Sequence, residues 1–230
     1  EMYRAEVGYP IGYFWGFKTA GVFQNAEQVA STQAKLENAQ PGDLIFMDTN
    51  GDGAITDADK VMIGDPNPDF QAGLSINFGY KGFDLSLTAV GKFGHQIAKS
   101  YRSFADSPLQ NYTTEIFERW HGEGTSNRLP RLTSGSHPNW QNISDIYIEN
   151  GDYVKLQNLT VGYDLKKVFH KLPFTQTRIY FTAQNLYTFT KYSGMDPEVG
   201  YGDQQGWVSG IDLGFYPSPR TYLIGVNLKF

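Results

Sequence analysis

From Phe70 to Tyr80 the chain alternates with a period of two. Phe70, Ala72, Leu74, Ile76, Phe78 and Tyr80 fall on one side, and Gln71, Gly73, Ser75, Asn77 and Gly79 on the other. Successive side chains of a strand point to opposite faces, so this is a strand with one apolar and one polar face. Lys81-Gly82 suits a two-residue hairpin turn, and beyond it the pattern resumes as Phe83, Leu85, Leu87 and Ala89 against Asp84, Ser86 and Thr88. The last residues repeat the design, with Tyr222, Ile224, Val226, Leu228 and Phe230 opposed to Leu223, Gly225, Asn227 and Lys229. Arg178 to Phe189 alternates less strictly, with Ile179, Phe181 and Ala183 on its apolar side. Between Asp152 and Leu165 the apolar phase moves from Val154 and Leu156 to Leu159, Val161 and Tyr163. A β-bulge near Gln157 accounts for that slip.

Two architectures suit half-apolar strands: a soluble β-sandwich with one solvated face, and a transmembrane barrel wall with one lipid-facing side. Three features favour the wall. The strands run to about 10 residues where about 5 to 6 is usual. Their polar faces carry small uncharged residues rather than Lys and Glu. Aromatic residues stand at strand ends, at Tyr80, Phe83, Tyr163, Tyr222 and Phe230, as in an interfacial girdle.

The links alternate in length. Tyr80 to Phe83 and Lys166 to Gln176 are short, the latter with room for one helical turn, whereas Gln24 to Asp69, Gly94 to Gly151 and Lys191 to Pro219 are long. Outer-membrane barrels alternate tight periplasmic turns with extended outer loops in this way. About five clear strands are predicted, with one or two more in the Gly- and aromatic-rich opening, Tyr3 to Val22. Closed membrane barrels start at about 8 strands, so the segment is expected to be incomplete on its own.

Composition narrows the partners. The 15% of aromatic residues suits β-structure, and a formal charge of -5 gives no footprint for nucleic acid. With no cysteine, disulfides, thiolate metal sites and a Cys nucleophile are excluded. The opening EMYRAEVGYP has neither a basic nor an apolar leader region, so no signal peptide is expected in this stretch. No apolar run approaches the roughly 20 residues of a transmembrane helix.

The stretch DTNGDGAITDAD, Asp48 to Asp59, has the spacing of a calcium loop. Side-chain oxygens come from Asp48, Asn50, Asp52 and Asp59, the seventh-position carbonyl from Ala54, and Gly53 permits the sharp turn. Asp59 replaces the usual bidentate Glu, which predicts weaker binding or an added water, and Asp57 stands near at a position that is not a usual ligand. The simpler alternative is a solvated Asx-rich turn. Helices do not flank it, so a bound Ca2+ is expected to be structural.

The blocks PGDLIFMDTNGDGAITDADKVMIGDPNPDFQAGLSINFGYKGFDLSL (Pro41 to Leu87), YPIGYFWGFKTAGVFQN (Tyr9 to Asn25), YVKLQNLTVGYDL (Tyr153 to Leu165), FTAQNLYTFTKYSGMDPEVG (Phe181 to Gly200) and YPSPRTYLIGVNLKF (Tyr216 to Phe230) together resemble the C-terminal barrel region of SusC/RagA-type TonB-dependent transporters of Bacteroidetes outer membranes. The resemblance implies an all-β fold, the last strands of a transmembrane antiparallel barrel of about 22 strands with long extracellular loops. It also implies an N-terminal plug, energy from TonB through segments outside this sequence, and a SusD-like lipoprotein as a lid over the mouth. Oligosaccharide or peptide import through an outer membrane is the implied activity. The whole of 1–230 is then barrel, with the calcium-type loop 48–59 inside an extracellular loop, pinning the outer rim. A soluble calcium-stabilised β-domain that binds carbohydrate is the alternative.

No enzyme chemistry is expected. His95, His121, His137 and His170 are scattered without metal-ligand spacing. Asp196 and Glu198 in MDPEVG form a turn more readily than a glycosidase pair. The long links carry aromatics, namely Tyr101, Phe104, Tyr112, Phe117, Trp120 and Trp140 in one and Tyr201, Trp207, Phe215 and Tyr216 in another. Packing within the loops, contact with a lid and contact with a ligand all suit such rings.

Overall fold

The computed structural model describes residues 2–101, 113–134, 136–199 and 209–230. Its strands are β1 (Tyr3–Arg4), β2 (Tyr13–Gly16), β3 (Thr19–Val22), β4 (Leu44–Phe46), β5 (Val61–Gly64), β6 (Phe70–Tyr80), β7 (Phe83–Phe93), β8 (Gln96–Lys99), β9 (Ile148–Asn150), β10 (Tyr153–Asp164), β11 (Gln176–Thr190), β12 (Ile211–Asp212) and β13 (Thr221–Lys229). Helix is confined to short pieces, and no described helix is long and apolar enough to cross a membrane.

Two compact units emerge, each discontinuous in sequence. One comprises 68–94, 151–197 and 216–230 and contains a five-stranded antiparallel sheet in the order β13-β11-β10-β7-β6. It is a meander in which each long strand pairs with its successor among the long strands. The turn between β6 and β7 is the predicted one: Tyr80 pairs with Phe83, and both central residues have positive φ, 49° at Lys81 and 92° at Gly82. Such a primed turn matches the twist of the flanking strands, and glycine supplies its second position without a Cβ clash. The other short link begins with a 3-10 turn at Leu165–Lys167, capped by the Asp164 carboxylate on the Lys166 N–H at 3.1 Å.

The predicted bulge is present. Leu156 pairs with Ala89 of β7 and Asn158 with Thr88, leaving Gln157 over. Against β11, Leu156 pairs with Tyr187 and Asn158 with Gln184, so Asn185 and Leu186 stand opposite Gln157, and Asn185 takes a φ of 52°. These extra residues absorb the phase slip and keep every row of side chains on one face.

The second unit comprises 1–67, 95–150 and 198–215, which is the opening segment together with most of the three long links. It has its own core. Phe17, Val22, Leu44 and Phe46 form one buried cluster with Trp120 and Ile146 against it, and Phe14, Ile63 and Ala98 form another with Ile143, Ile148 and Ile211. The strands are short and pair across large sequence distances: β1-β2-β5, β3-β4 and β12-β8-β9. The opening segment, where one or two strands are expected, holds three short ones, β1, β2 and β3, and none of them joins the five-stranded sheet. Instead β2 is four residues long and pairs with β5, because Tyr13 and Phe14 are both buried and leave no polar alternation for a half-exposed wall strand.

Buried and half-buried polar ties hold the links together. Asp43 accepts from Arg131 Nε at 2.7 Å and Asn139 Nδ2 at 3.0 Å. Asp145 accepts from the Thr19 hydroxyl at 2.7 Å. Such charge-assisted bonds are worth more than neutral ones where water is excluded.

Candidate functional site

The site begins with the two faces of the sheet. Reading across the register, Tyr80, Phe83, Tyr163, Ile179 and Val226 make one row, and Phe78, Leu85, Val161, Phe181 and Ile224 the next. Ile76, Leu87, Leu159, Ala183 and Tyr222 make a third. Past the bulge, Leu74, Ala89, Leu156 and Tyr187 continue the face. Every member is apolar or aromatic, and many are exposed, including Phe78, Phe181, Ile224 and Val226. A water-facing sheet does not present such a patch, whereas a lipid-facing wall requires one.

The opposite face is polar. Ser75, Thr88, Asn158, Gln184 and Thr221 form one row, and the Thr160 and Thr182 hydroxyls meet at 2.9 Å in the next. Nearer the short turns, Arg178 grips Asp84 with two bonds, at 2.8 and 2.5 Å. Arg178 reaches Asp84 by lying over Gly162, and Tyr180 lies over Gly225; a Cβ at either glycine would occupy the space of the covering side chain. The guanidinium also sits 4.9 Å from the Tyr180 ring centroid. Two glycines that are poor strand formers in themselves thus seat an Asp-Arg-Tyr brace across the polar face.

Where the long links leave the sheet, a cavity of about 510 Å³ opens. Its lining includes Lys155, Thr188, Asp196, Tyr216 and Arg220. Lys155 is buried, and its Nζ lies 3.9 Å from Asp196. Asp196 also accepts the Ser218 N–H at 3.1 Å, and Asn185 Nδ2 donates to the Pro219 carbonyl at 3.0 Å. Asp196 is thus tied into the rim, which fits a turn residue. Sequence reading missed Lys155 and Arg220 as site residues; a lysine among small polar residues at the long-link end of the polar face was the available signal for Lys155.

The calcium-type loop lies between β4 and β5 in the first long link. Asp48 accepts from the Gly51 N–H at 2.6 Å and the Gly53 N–H at 2.8 Å. The Asn50 side-chain oxygen accepts from the Asp52 N–H at 2.8 Å, and Asp52 from the Ala54 N–H at 2.9 Å. Asp59 is wholly buried and accepts from Thr56 N–H at 2.7 Å and Thr49 N–H at 2.9 Å. The Thr56 N–H bond, followed by those from Thr49 and Asn50, outweighs burial and holds the Asp59 carboxyl below the ordinary aspartate range. Among the described residues no three His, Cys, Asp or Glu side chains converge as a metal-binding group. Any cation here therefore depends on Asn50 and the Ala54 carbonyl as well as carboxylates.

The remaining candidates separate. His95 is buried, His121 bonds the Arg119 carbonyl at 2.9 Å, and His137 caps the helix Pro138–Gln141. Trp120 packs on the core, while Phe117 and Tyr216 are exposed. Phe104, Tyr112, Tyr201 and Trp207 lie outside the described residues.

No protein-family model matches the chain. It is similar to TonB-dependent receptor P3 of Formosa agariphila, with 35% identity over 97% of this chain and 22% of the relative. It is likewise similar to TonB-dependent receptor SusC of Bacteroides thetaiotaomicron, with 32% identity over 84% of this chain and 18% of that protein. Among solved structures, the RagAB peptide transporter matches with a TM-score of 0.70 at 22% identity, over 98% of this chain and 23% of the matched one. The chain spans about a fifth of the length of these relatives. By name these relatives are TonB-dependent receptors and the solved structure is a peptide transporter. A sheet with one apolar and one polar face, alternating short and long links, and similarity along nearly the whole chain make it similar to a segment of TonB-dependent receptors such as SusC, with the fold of the matching part of the RagAB transporter.

Proposed function

We propose that this chain forms the C-terminal stretch of a barrel of about 22 strands that imports oligosaccharides or peptides across a Bacteroidetes-type outer membrane. Its polar face then lines the import path, and the rest of the barrel and its plug complete the channel. TonB supplies energy through the N-terminal part, and a SusD-like surface lipoprotein closes the mouth. The observation that carries this reading is the five-strand register, in which four successive rows on one face are wholly apolar and the opposite face is built of polar residues and glycine for the most part. The cavity around Lys155, Asp196 and Tyr216 suits a ligand with both polar and flat apolar surfaces.

The test is the intact mass of the polypeptide extracted by detergent from native outer membranes, with identification of what accompanies it. A chain several times heavier than 25.8 kDa, together with a surface lipoprotein, is the expected result. A free species of that mass in the soluble fraction would overturn it in favour of a soluble carbohydrate-binding domain.

We further propose that loop 48–59 holds a structural Ca2+ through Asp48, Asn50, Asp52, the Ala54 carbonyl and Asp59. The nested turns support this, since a carboxylate has about four acceptor sites and each is only partly used by main-chain N–H groups. Saturating Ca2+ at about 100 times its dissociation constant is expected to stabilise the loop-bearing unit by about 2.7 kcal/mol. Calorimetric titration of the full receptor shows no heat of binding if the loop is a plain Asx turn.

A further inference from the structure

We infer that the short-turn end of the sheet is a docking surface for anionic phospholipid headgroups. The inference rests on the reading of the apolar face as lipid-facing.

The two short links lie side by side. The Asp164 N–H donates to the Gly82 carbonyl at 2.8 Å, and a Cβ at Gly82 would run into the Lys167 side chain. Together they present three exposed lysines, Lys81, Lys167 and Lys171. Between them Val168 and Phe169 are 55% and 58% exposed. Phe169 and Lys171 border a hollow of about 500 Å³ with Leu172 at its side.

The cations stand at the edge of the apolar face. The Lys81 Nζ lies 5.2 Å from the ring centroid of Tyr80, which belongs to the outermost apolar row. Nearby acids are already engaged: Asp84 by Arg178, and Asp164 by the N–H groups of Lys166 and Thr177 at 3.1 and 3.3 Å. Lys166 is turned inward and donates to the Phe174 carbonyl. A cationic collar thus sits on a chain whose formal charge is -5.

Lysines around exposed apolar side chains are the pattern of a surface that enters the headgroup boundary. Val168 and Phe169 would be costly in water and favourable against acyl chains, while the ammonium groups meet phosphates on the ends of their flexible stems. A protein partner at this end would not explain the continuity of the collar with the lipid-facing rows.

The test is native mass spectrometry of the full-length receptor in detergent, titrated with phosphatidylglycerol or phosphatidylcholine. Heat-dependent mobility in detergent gels checks in parallel that the barrel is folded. Phosphatidylglycerol is expected to bind more tightly than phosphatidylcholine, and less so at high salt. Each lysine near an anionic surface is worth roughly five-fold in affinity. The K81Q/K167Q/K171Q variant should therefore lose about a hundred-fold in phosphatidylglycerol binding, with phosphatidylcholine unchanged. Lys171→Gln alone should lose about five-fold and serves if the triple variant fails to fold. A folded barrel that binds both lipids equally, or whose lysine variants bind phosphatidylglycerol as before, overturns this inference alone. A receptor with no folded barrel overturns the importer reading and this inference with it.

Discussion

The two units of this chain handle apolar residues in opposite ways. In the unit built from the opening segment and the long links, Tyr13, Phe14, Phe23 and Leu129 are buried inside the unit itself. In the sheet, Phe78, Phe181, Ile224 and Val226 are exposed. The difference teaches that one sequence is written for two solvents. The loop unit follows the rule of an aqueous globule, and the wall follows the rule of a bilayer, where the outward face must be apolar and every backbone group must pair within the sheet.

The sharpest way to break the comparison is to damage the loop core alone. Phe14→Ala removes a buried ring from the Phe14, Ile63 and Ala98 cluster and is expected to cost about 3 to 5 kcal/mol. Hydrogen exchange on the full receptor should show lost protection in β2, β5 and β8 with the wall strands unchanged. Uniform loss across both units would mean that they unfold together.

Phe181→Lys attacks the other rule. On a lipid-facing position one row inside the aromatic girdle it should cost about 1 to 3 kcal/mol in folding into liposomes, between the interfacial and the midplane cost. On a water-exposed sheet the same change would be neutral or helpful to solubility, so this variant separates the two solvents directly.

Gly225→Leu probes the polar face. The new side chain claims the space of the Tyr180 ring, and overpacking of this kind costs about 1 to 3 kcal/mol. Tyr180→Ala in the same background should restore part of the loss. A loss that Tyr180→Ala leaves unrelieved would place the strain elsewhere than at the brace.

The smallest effect is a pH dependence confined to the loop unit. Asp59 has its pKa lowered in the folded state, first by the Thr56 N–H bond. Its stabilisation is therefore complete above the unfolded aspartate value of about 3.9 and is lost as pH falls through the lower folded value. Exchange at Thr49 and Thr56 should speed up in that acidic window, and Asp59→Asn should remove the dependence.

Much of the wall is legible in the amino-acid sequence alone. The face of β6, the Lys81-Gly82 turn, the bulge at Gln157 and the helical turn after Asp164 are all local, since each depends on residues a few positions apart. The Asp-Arg-Tyr brace is not legible there, because Asp84, Arg178 and Tyr180 meet only through the pairing of β7, β10 and β11. The calcium-type loop is legible as a spacing, while the use of Asp59 as a buried acceptor for Thr56 and Thr49 emerges only once the chain has turned back on itself.

The deepest divide lies between the strands and the links. Alternation with period two by itself determined the long strands and their two faces, because side-chain direction in a strand is a property of the local backbone. Only the tertiary structure decided that the opening segment and the long links form a unit with its own core. Its strands run to four residues at most and pair across gaps as wide as that between Gln96–Lys99 and Ile211–Asp212. So short a strand has no period to read; its partner is chosen by where the rest of the chain has already brought it.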